Sequence, residues 1–115
     1  TCSGGGHPSP IALETGKQPL ELQSQNPAVG IITDCRFESV SYSLNRIKRI
    51  LVFSDGVFEI KTKNGETSDY NEFKETVGTY ELSECILDDL ERHSLKISET
   101  DDFEDDYTMI EITLK

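Results

Sequence analysis

A short apolar run that ends in an acidic turn constrains the fold of this chain more than any other feature. Residues 50–53, Ile-Leu-Val-Phe, are apolar without alternation, which is typical of a strand in the middle of a sheet, covered on both faces. We expect this strand to extend from Arg49 to Ser54. An Asp-Gly turn signal follows, so the carboxylate of Asp55 is predicted to be fixed at the end of a buried strand, with Gly56 allowing close approach of the backbone to a ligand.

The stretch after this strand changes its hydrophobic period from that of a strand to that of a helix. Tyr70, Phe73 and Val77 are spaced by three and four residues, which predicts that they share one face of a helix. Ser68 is the expected N-cap of this helix, and Gly78 is its expected end.

A second helix is predicted from about Leu82 to His93, where apolar residues repeat at helical spacing and acidic residues face outward. A polar, acidic loop is expected from Ser98 to Asp106. The chain then closes with a strand from Tyr107 to Lys115. Alternate residues of that strand form one face: Thr108, Ile110, Ile112 and Leu114.

The first half of the chain is predicted to contain short strands separated by turns. Ile11 to Leu13 and Leu20 to Leu22 are short apolar runs on either side of a turn signal. From Phe37 to Leu44 apolar side chains recur at a spacing of two, which predicts a strand with one buried face. Residues 57–60 are expected to be extended, and residues 63–66 hold an Asn-Gly turn signal.

The predicted order of elements is therefore strands, two helices and one final strand. This order indicates an α+β fold in which the last strand returns to an existing sheet and the helices pack on one face. A chain of 115 residues suits a single domain.

The charge balance limits the kinds of partner that we expect. Lys and Arg total 11 against 22 Asp and Glu, a formal charge of −11, which opposes binding to nucleic acid or to an anionic membrane. No apolar run approaches the ~20 residues of a membrane span, and the N-terminus has no secretory signal pattern. We therefore expect a cytoplasmic segment with neither nucleic-acid nor membrane contact.

The cysteines and histidines form no recognisable zinc or nucleophile pattern. Cys2, Cys35 and Cys85 are widely spaced without a Cys-x-x-Cys pair, and we expect them to be small buried hydrophobes in a reducing compartment. His93 is expected to have a structural role near a helix C-terminus. His7 lies in a Gly-Pro bend that its ring is expected to stabilise by hydrogen bonding.

Five carboxylates crowd into six positions before the closing strand: Asp101, Asp102, Glu104, Asp105 and Asp106. Like charges at this density repel unless solvent or a cation neutralises them. A solvated loop is the common outcome for an acidic run. Asp105 and Asp106 abut a strand, however, so at least one of them is expected to be held at the sheet end. Together with Asp55 they predict a site for a hard cation, namely magnesium, manganese or calcium.

Four motifs in this chain resemble, in the same order, those of a known family. They lie at residues 5–10 (Gly-Gly-His-Pro-Ser-Pro), 27–30 (Pro-Ala-Val-Gly), 53–59 (Phe-Ser-Asp-Gly-Val-Phe-Glu) and 105–108 (Asp-Asp-Tyr-Thr). The family is that of the metal-dependent serine/threonine protein phosphatases of the 2C type, in the bacterial branch typified by the stage II sporulation protein E. Its members carry Ala-Gly-His-Pro-x-Pro, a Pro-Leu-Gly-like turn, Thr-Asp-Gly-x-x-Glu and Asp-Asp-x-Thr. Here Ser54 stands for the Thr of the third motif.

The resemblance implies a β-sandwich flanked by helices, with two Mn²⁺ or Mg²⁺ ions at one end of the sandwich. Asp55 would ligate the metals, and Asp105 would complete the coordination of the second ion. Asp106 and Gly56 would hold these ligands in place without contacting the metals themselves. A water molecule activated by the metals would attack the phosphorus of a phosphoserine or phosphothreonine. The implied partner is a phosphorylated signalling protein such as an anti-anti-sigma factor, with a sensor or receiver domain upstream in the parent chain.

The resemblance covers the C-terminal portion of the family's domain. Members have about as much chain again before the first motif, where an Asp-x-x-Gly-His-Gly-like motif supplies further metal ligands, and residues 1–115 contain no such motif. We therefore expect the chain alone to have negligible phosphatase activity, and its unpaired strand edges to favour dimerisation. Two alternatives stay open: a non-catalytic acidic interaction module with a degenerate metal site, and a calcium-binding surface module.

Overall fold

The computed structural model describes residues 1–23 and 26–115 and confirms the predicted α+β class. Within these residues four strands form one antiparallel sheet, in the order β2-β1-β3-β4. The strands and helices have the following bounds: β1 (Ile11–Leu13), β2 (Leu20–Glu21), β3 (Arg49–Phe53), a 3-10 turn (Asp55–Val57), α1 (Tyr70–Thr79), α2 (Ile86–Ile97) and β4 (Met109–Thr113).

β3 is a central strand, as its apolar run predicts. It pairs with β1 along three residues and with β4 along all five of its own. Leu51 and Phe53 are buried, whereas Ile50 and Val52 on the opposite face are only half-buried. The predicted cover is therefore complete on one face of the strand and partial on the other.

The face of the sheet that packs on the helices, the helix-covered face, carries the main core. Nine buried side chains from the sheet, the 3-10 turn and both helices form it: Ile11, Leu13, Leu51, Phe53, Val57, Phe73, Val77, Ile86 and Leu90. The ring of Phe53 makes edge-on contacts with those of Phe73 and Phe58, at centroid distances of 4.9 and 6.2 Å. Such aromatic pairs stabilise a core beyond the area they bury.

The opposite face, which we call the open face, is apolar but is covered by neither described helix. Pairing in the sheet places six apolar side chains on it: Ala12, Leu20, Ile50, Val52, Ile110 and Ile112. Ile110 and Ile112 are 54% and 44% exposed. Only a small cluster around Ala12, Leu22 and Ile47 is buried on this side. The face predicted for the closing strand therefore exists, but it lies away from the helices.

The first helix begins at Tyr70, two residues after the predicted N-cap. Its N-cap is Asp69, whose carboxylate accepts hydrogen bonds from the N–H groups of Asn71 and Glu72. Glu72 in turn accepts from the N–H of Asp69, which completes a capping box. Ser68 cannot serve as the cap because its hydroxyl is bound to the backbone of residues 58–60.

The second helix also begins later than predicted, at Ile86 instead of Leu82. Leu82 is 74% exposed and belongs to a turn. The hydroxyl of Ser83 accepts from the N–H of Cys85 and donates to the carboxylate of Asp89, which fixes the helix start one turn downstream. α2 ends at Ile97, later than the predicted end at His93, and α1 continues one residue past its predicted end at Gly78. Neither described helix has the length and apolar character needed to cross a bilayer.

The strand predicted from Phe37 to Leu44 is wrong. Among the described residues this segment makes a single isolated bridge, between Val40 and Cys2. Val40 and Leu44 are 38% and 46% exposed, so their alternation does not mark a buried face. Tyr42 packs on the small cluster around Ala12, Leu22 and Ile47, but within residues 1–23 and 26–115 the segment pairs with no named strand of the sheet.

Residues 55–60 also depart from the extended form that we predict for 57–60. The N–H groups of Phe58 and Glu59 both donate to the carbonyl oxygen of Asp55, which winds the chain into a tight helical turn. The Asn-Gly turn that follows is found as predicted. Gly65 has a φ of +80° and its N–H donates to the carbonyl of Thr62 at 2.8 Å.

Candidate metal centre

The structure brings the two acidic turns into direct contact. A Cβ placed on Gly56 would lie 2.5 Å from the carbonyl oxygen of Asp106 and 3.3 Å from the carbonyl carbon of Asp105. No side chain fits in that space, so glycine is what allows the Asp55 turn and the Asp105 turn to pack backbone against backbone. β3 and β4 are neighbouring antiparallel strands, and the two turns lie at the same end of this pair, after Phe53 and before Met109.

Ser54 joins the two turns through both its backbone and its side chain. Its N–H donates to the carbonyl of Thr108 at 3.0 Å, and its hydroxyl donates to the carbonyl of Asp106 at 2.7 Å. The same hydroxyl accepts from the N–H of Thr108 at 3.0 Å. The position therefore needs a hydroxyl, which explains why Ser can stand where the resembling family has Thr. The motif alone assigns no role to Ser54, although a hydroxyl at a strand end is a signal for such a bridge.

Each of the two carboxylates is held by the N–H of the residue that follows it. Oδ1 of Asp55 accepts from Gly56 at 3.0 Å, and Oδ1 of Asp105 accepts from Asp106 at 2.7 Å. Both side chains are exposed, and the second oxygen of each accepts no hydrogen bond from the described part of the chain. One oxygen is thus anchored while the other is available to a ligand.

The donor chemistry of these carboxylates fits a hard divalent cation, because Mg²⁺ and Mn²⁺ prefer carboxylate oxygen. The set is incomplete, however. Among residues 1–23 and 26–115, no three His, Cys, Asp or Glu side chains lie together in a way that could hold a metal ion. The backbone carbonyl of Asp106 accepts the hydrogen bond from Ser54. This residue therefore helps to hold the two turns together.

A narrow crevice of about 10 Å³ runs between the two turns. Its lining includes Gly56, Glu59 and Asp105, together with residues of the acidic loop. A volume of this order holds about one water molecule. Glu59 therefore lines the same crevice as Asp105, and the sequence marks it only as the last residue of the third motif.

Two aromatic rings bracket the Asp105 turn. Phe103 and Tyr107 are stacked, with ring centroids 4.1 Å apart and an interplanar angle of 27°. The hydroxyl of Tyr107 lies 3.4 Å from that of Ser94, a buried residue of α2. Burial raises the pKa of the Tyr107 phenol, so this group is protonated at neutral pH.

The start of the acidic loop is ordered by the protein and not only by solvent. The buried Ser98 donates its hydroxyl to the carbonyl of Asp102 at 2.9 Å, and the carboxylate of Asp102 accepts from the N–H of Phe103 at 2.8 Å. Lys61 and Glu99 form an exposed ion pair at 3.2 Å, and a hydrogen bond with Glu99 raises the pKa of Lys61. Exposed pairs of this kind contribute little to stability.

The two N-terminal motifs also contact each other. The N–H of Val29 donates to the carbonyl of Gly5 at 3.2 Å. Gly6 has a φ of +86°, and a Cβ at this position would lie 2.5 Å from Cβ of Ala28. Nδ1 of His7 lies 3.1 Å from the carbonyl oxygen of Pro8, which agrees with the hydrogen bond expected at this bend.

The cysteines and His93 lie outside this candidate centre. The predicted burial of the cysteines is wrong, since Cys2 and Cys35 are half-buried and Cys85 is exposed. His93 lies within α2 and not at its end, beside a cleft of about 580 Å³ whose lining includes neither Asp55 nor Asp105. Burial lowers the pKa of His93, and the charge of a nearby lysine adds to this effect.

Comparison with known proteins identifies one family. All of residues 1–115 match the model of the family described as Stage II sporulation protein E (SpoIIE). No curated protein and no solved structure matches the chain. The family match spans all four motifs and confirms the resemblance that they indicate.

Proposed function

Because the chain belongs to the SpoIIE family, whose domain is of the phosphatase type, we propose that it forms the C-terminal portion of a metal-dependent protein serine/threonine phosphatase domain. The observation that carries this proposal is the packing of Gly56 against the Asp105 turn, with Ser54 bonded across both. Carboxylates at the ends of two neighbouring strands are suitably placed to share hard cations.

In the proposed site, Asp55 and Asp105 hold Mn²⁺ or Mg²⁺, and Asp106 and Gly56 keep the two turns in contact. Bound there, a pair of ions would lower the pKa of a water molecule so that it can attack the phosphorus of phosphoserine or phosphothreonine. The substrate is a phosphorylated cytoplasmic signalling protein, for which an anti-anti-sigma factor is the candidate, and a sensor or receiver domain precedes the phosphatase domain in the parent protein.

The open face of the sheet supports the proposal that this chain is one portion of a larger domain. On this face Ile110, Ile112 and Leu20 are 54%, 44% and 47% exposed. Soluble proteins rarely expose contiguous apolar surface without a partner for it. A second sheet, formed by residues outside this sequence, would cover the face as in a sandwich and would carry the remaining metal ligands.

A second candidate function is a non-catalytic acidic interaction module with a degenerate metal site. Two observations favour it: the described residues contain no group of three metal-binding side chains, and the chain has a formal charge of −11. In such a module the number of carboxylates matters more than their positions. The two candidates therefore differ in what they predict for single Asp-to-Asn changes.

The test measures phosphate release from a phosphoserine peptide by the complete parent protein in the presence of Mn²⁺. Asp55→Asn and Asp105→Asn are each expected to lower the rate by more than about 100-fold, the upper range for the loss of a residue that merely supports a metal ligand. Asp101→Asn is the matched control. Asp101 lies in the same loop, but its exposed carboxylate pairs with Lys63 and does not line the crevice, so the change removes the same charge outside the two turns.

Equal losses of activity in the Asp101 and Asp105 variants would favour the acidic module and overturn the phosphatase proposal. The 115-residue chain by itself is expected to release no measurable phosphate, because its ligand set is incomplete. Robust Mn²⁺-dependent release by this chain would contradict that expectation. An increase in its thermal unfolding temperature with Ca²⁺, but not with Mn²⁺, would instead support a calcium-binding surface module.

A further inference from the structure

We propose that Phe103 and Tyr107 are positioning residues, which hold the Asp105 turn in the shape required for metal binding and connect it to helix α2. This inference rests on the proposed function, because it concerns the same site. The two rings stand on either side of residues 104–106, the three acidic positions next to the closing strand.

The ring stack closes the ends of a short acidic loop. Phe103 and Tyr107 are separated by three residues, and their centroids are 4.1 Å apart. Because the two side chains touch, residues 104–106 must project away from the stack, and all three are exposed. Three adjacent negative charges would otherwise spread the loop by mutual repulsion. The stack therefore opposes the charge repulsion that the turn creates.

Each ring is anchored on a different part of the protein. On the Phe103 side, the backbone N–H is bound to the carboxylate of Asp102, whose carbonyl is bound to the buried Ser98. On the other side, Tyr107 packs against the main core, and its hydroxyl lies 3.4 Å from that of Ser94 on α2. Ser94 is only 2% exposed. The position of the helix is thereby transmitted to the acidic turn through one side chain.

Phe103 is distinguished from the core aromatics by what it contacts. Tyr107 is among the half-buried side chains that pack on the main core, whereas Phe103 belongs to neither core cluster of the described residues. Its aromatic contact is with Tyr107. Removing the Phe103 ring should therefore loosen the acidic turn and leave the core intact.

The test measures Mn²⁺ binding to the complete parent protein by calorimetric titration with MnCl₂, alongside thermal unfolding without metal. Phe103→Leu should weaken binding by about 10-fold, within the range seen when a residue that orients a ligand is lost, with little change in metal-free unfolding temperature. Phe103→Tyr keeps a ring and should bind as the parent does. Tyr107→Phe keeps the stack and removes the link to Ser94, so a loss of a few fold is expected.

Hydrogen exchange supplies a readout that needs no metal. The N–H of Asp106 is held by the carboxylate of Asp105, and it should exchange faster in the Phe103→Leu variant than in the parent or in Phe103→Tyr. Tyr80→Leu is the control for destabilisation, since it removes a half-buried ring that packs on the main core and pairs with His93 at the end of α1. That variant should change neither Mn²⁺ affinity nor exchange at Asp106.

The outcomes separate this inference from the proposed function. If Asp105→Asn abolishes Mn²⁺ binding while Phe103→Leu leaves affinity and exchange unchanged, the positioning role is overturned and the proposed function stands. If Asp105→Asn leaves binding unchanged, the proposed metal site is overturned. Equal losses of affinity in Phe103→Leu and Tyr80→Leu would indicate general destabilisation and would also overturn the positioning role.

Discussion

The two faces of the sheet differ in how completely they are packed. On the helix-covered face, Ile11, Leu51 and Phe53 are at most 2% exposed, whereas Ile110 and Ile112 on the open face are 54% and 44% exposed. Both sets are apolar, and they alternate along the same sheet. The strands therefore carry the side chains for two cores, and the described residues complete one of them.

The completed core is what supports the candidate metal centre. Val57, the residue after Gly56, is fully buried in it, and Tyr107 and Met109 pack against it directly after the second acidic turn. Both turns are thus anchored to the core on the helix-covered face. We propose that the second sheet, which would carry the remaining metal ligands, packs on the open face.

The largest expected effect contrasts one side chain from each face. In the 115-residue chain, Phe53→Ala should lower the free energy of unfolding by about 3–5 kcal/mol because it empties the centre of the core. Ile112→Ala should lower it by only about 1 kcal/mol, since nearly half of the side chain is in solvent. Urea unfolding followed by circular dichroism measures both values.

In the complete parent protein, the same two variants test whether a second sheet covers the open face. If a second sheet covers the open face, Ile112→Ala should cost about 2 kcal/mol or more there. A large cost already in the 115-residue chain would mean that another copy covers the face. Unfolding would then depend on protein concentration, as expected for a dimer formed through exposed sheet surfaces.

A smaller effect is expected at the N-cap of α1, one of the two helices that cover the sheet. Asp69→Ala removes the acceptor for the N–H groups of Asn71 and Glu72, so it should lower the free energy of unfolding by about 1 kcal/mol. Asp69→Asn keeps an acceptor oxygen and should cost less. If the two variants were equally destabilised, the capping bonds would not be the cause.

The smallest effect concerns pH and His93. Burial holds the pKa of His93 below 6.5 in the folded chain, while the unfolded chain keeps the ordinary value. The contribution of the neutral ring to stability is therefore fully present above pH 6.5 and decreases as the pH falls below 6.5 towards the folded pKa. His93→Gln should flatten this slope in urea unfolding measured from about pH 7.5 to 5.5, above the range in which most carboxylates titrate. An unchanged slope would assign it to another group.

Local sequence patterns predict most elements of this fold. They fail where contacts with another segment of the chain determine the local structure. The apolar run of β3 and the spacing of α1 suffice because burial of one strand or one helix face is encoded within the element itself. The alternation from Phe37 to Leu44 misleads because, within the described part of the chain, this segment makes only an isolated bridge and joins no strand of the sheet. Ser68 and Asp69 are both suitable caps by residue type, and the choice falls to Asp69 because the hydroxyl of Ser68 is bound to the 58–60 segment.

By itself, the sequence determined the strand and helix periods, the excess of acidic residues and the four motifs of the SpoIIE family. Only the tertiary structure decided how the two acidic turns meet. The bond from Ser54 to Asp106 joins residues 52 positions apart, and the close packing of Gly56 depends on the pairing of β3 with β4. Such contacts are not encoded in any local pattern, because the approach of the two turns is set by how the whole sheet assembles.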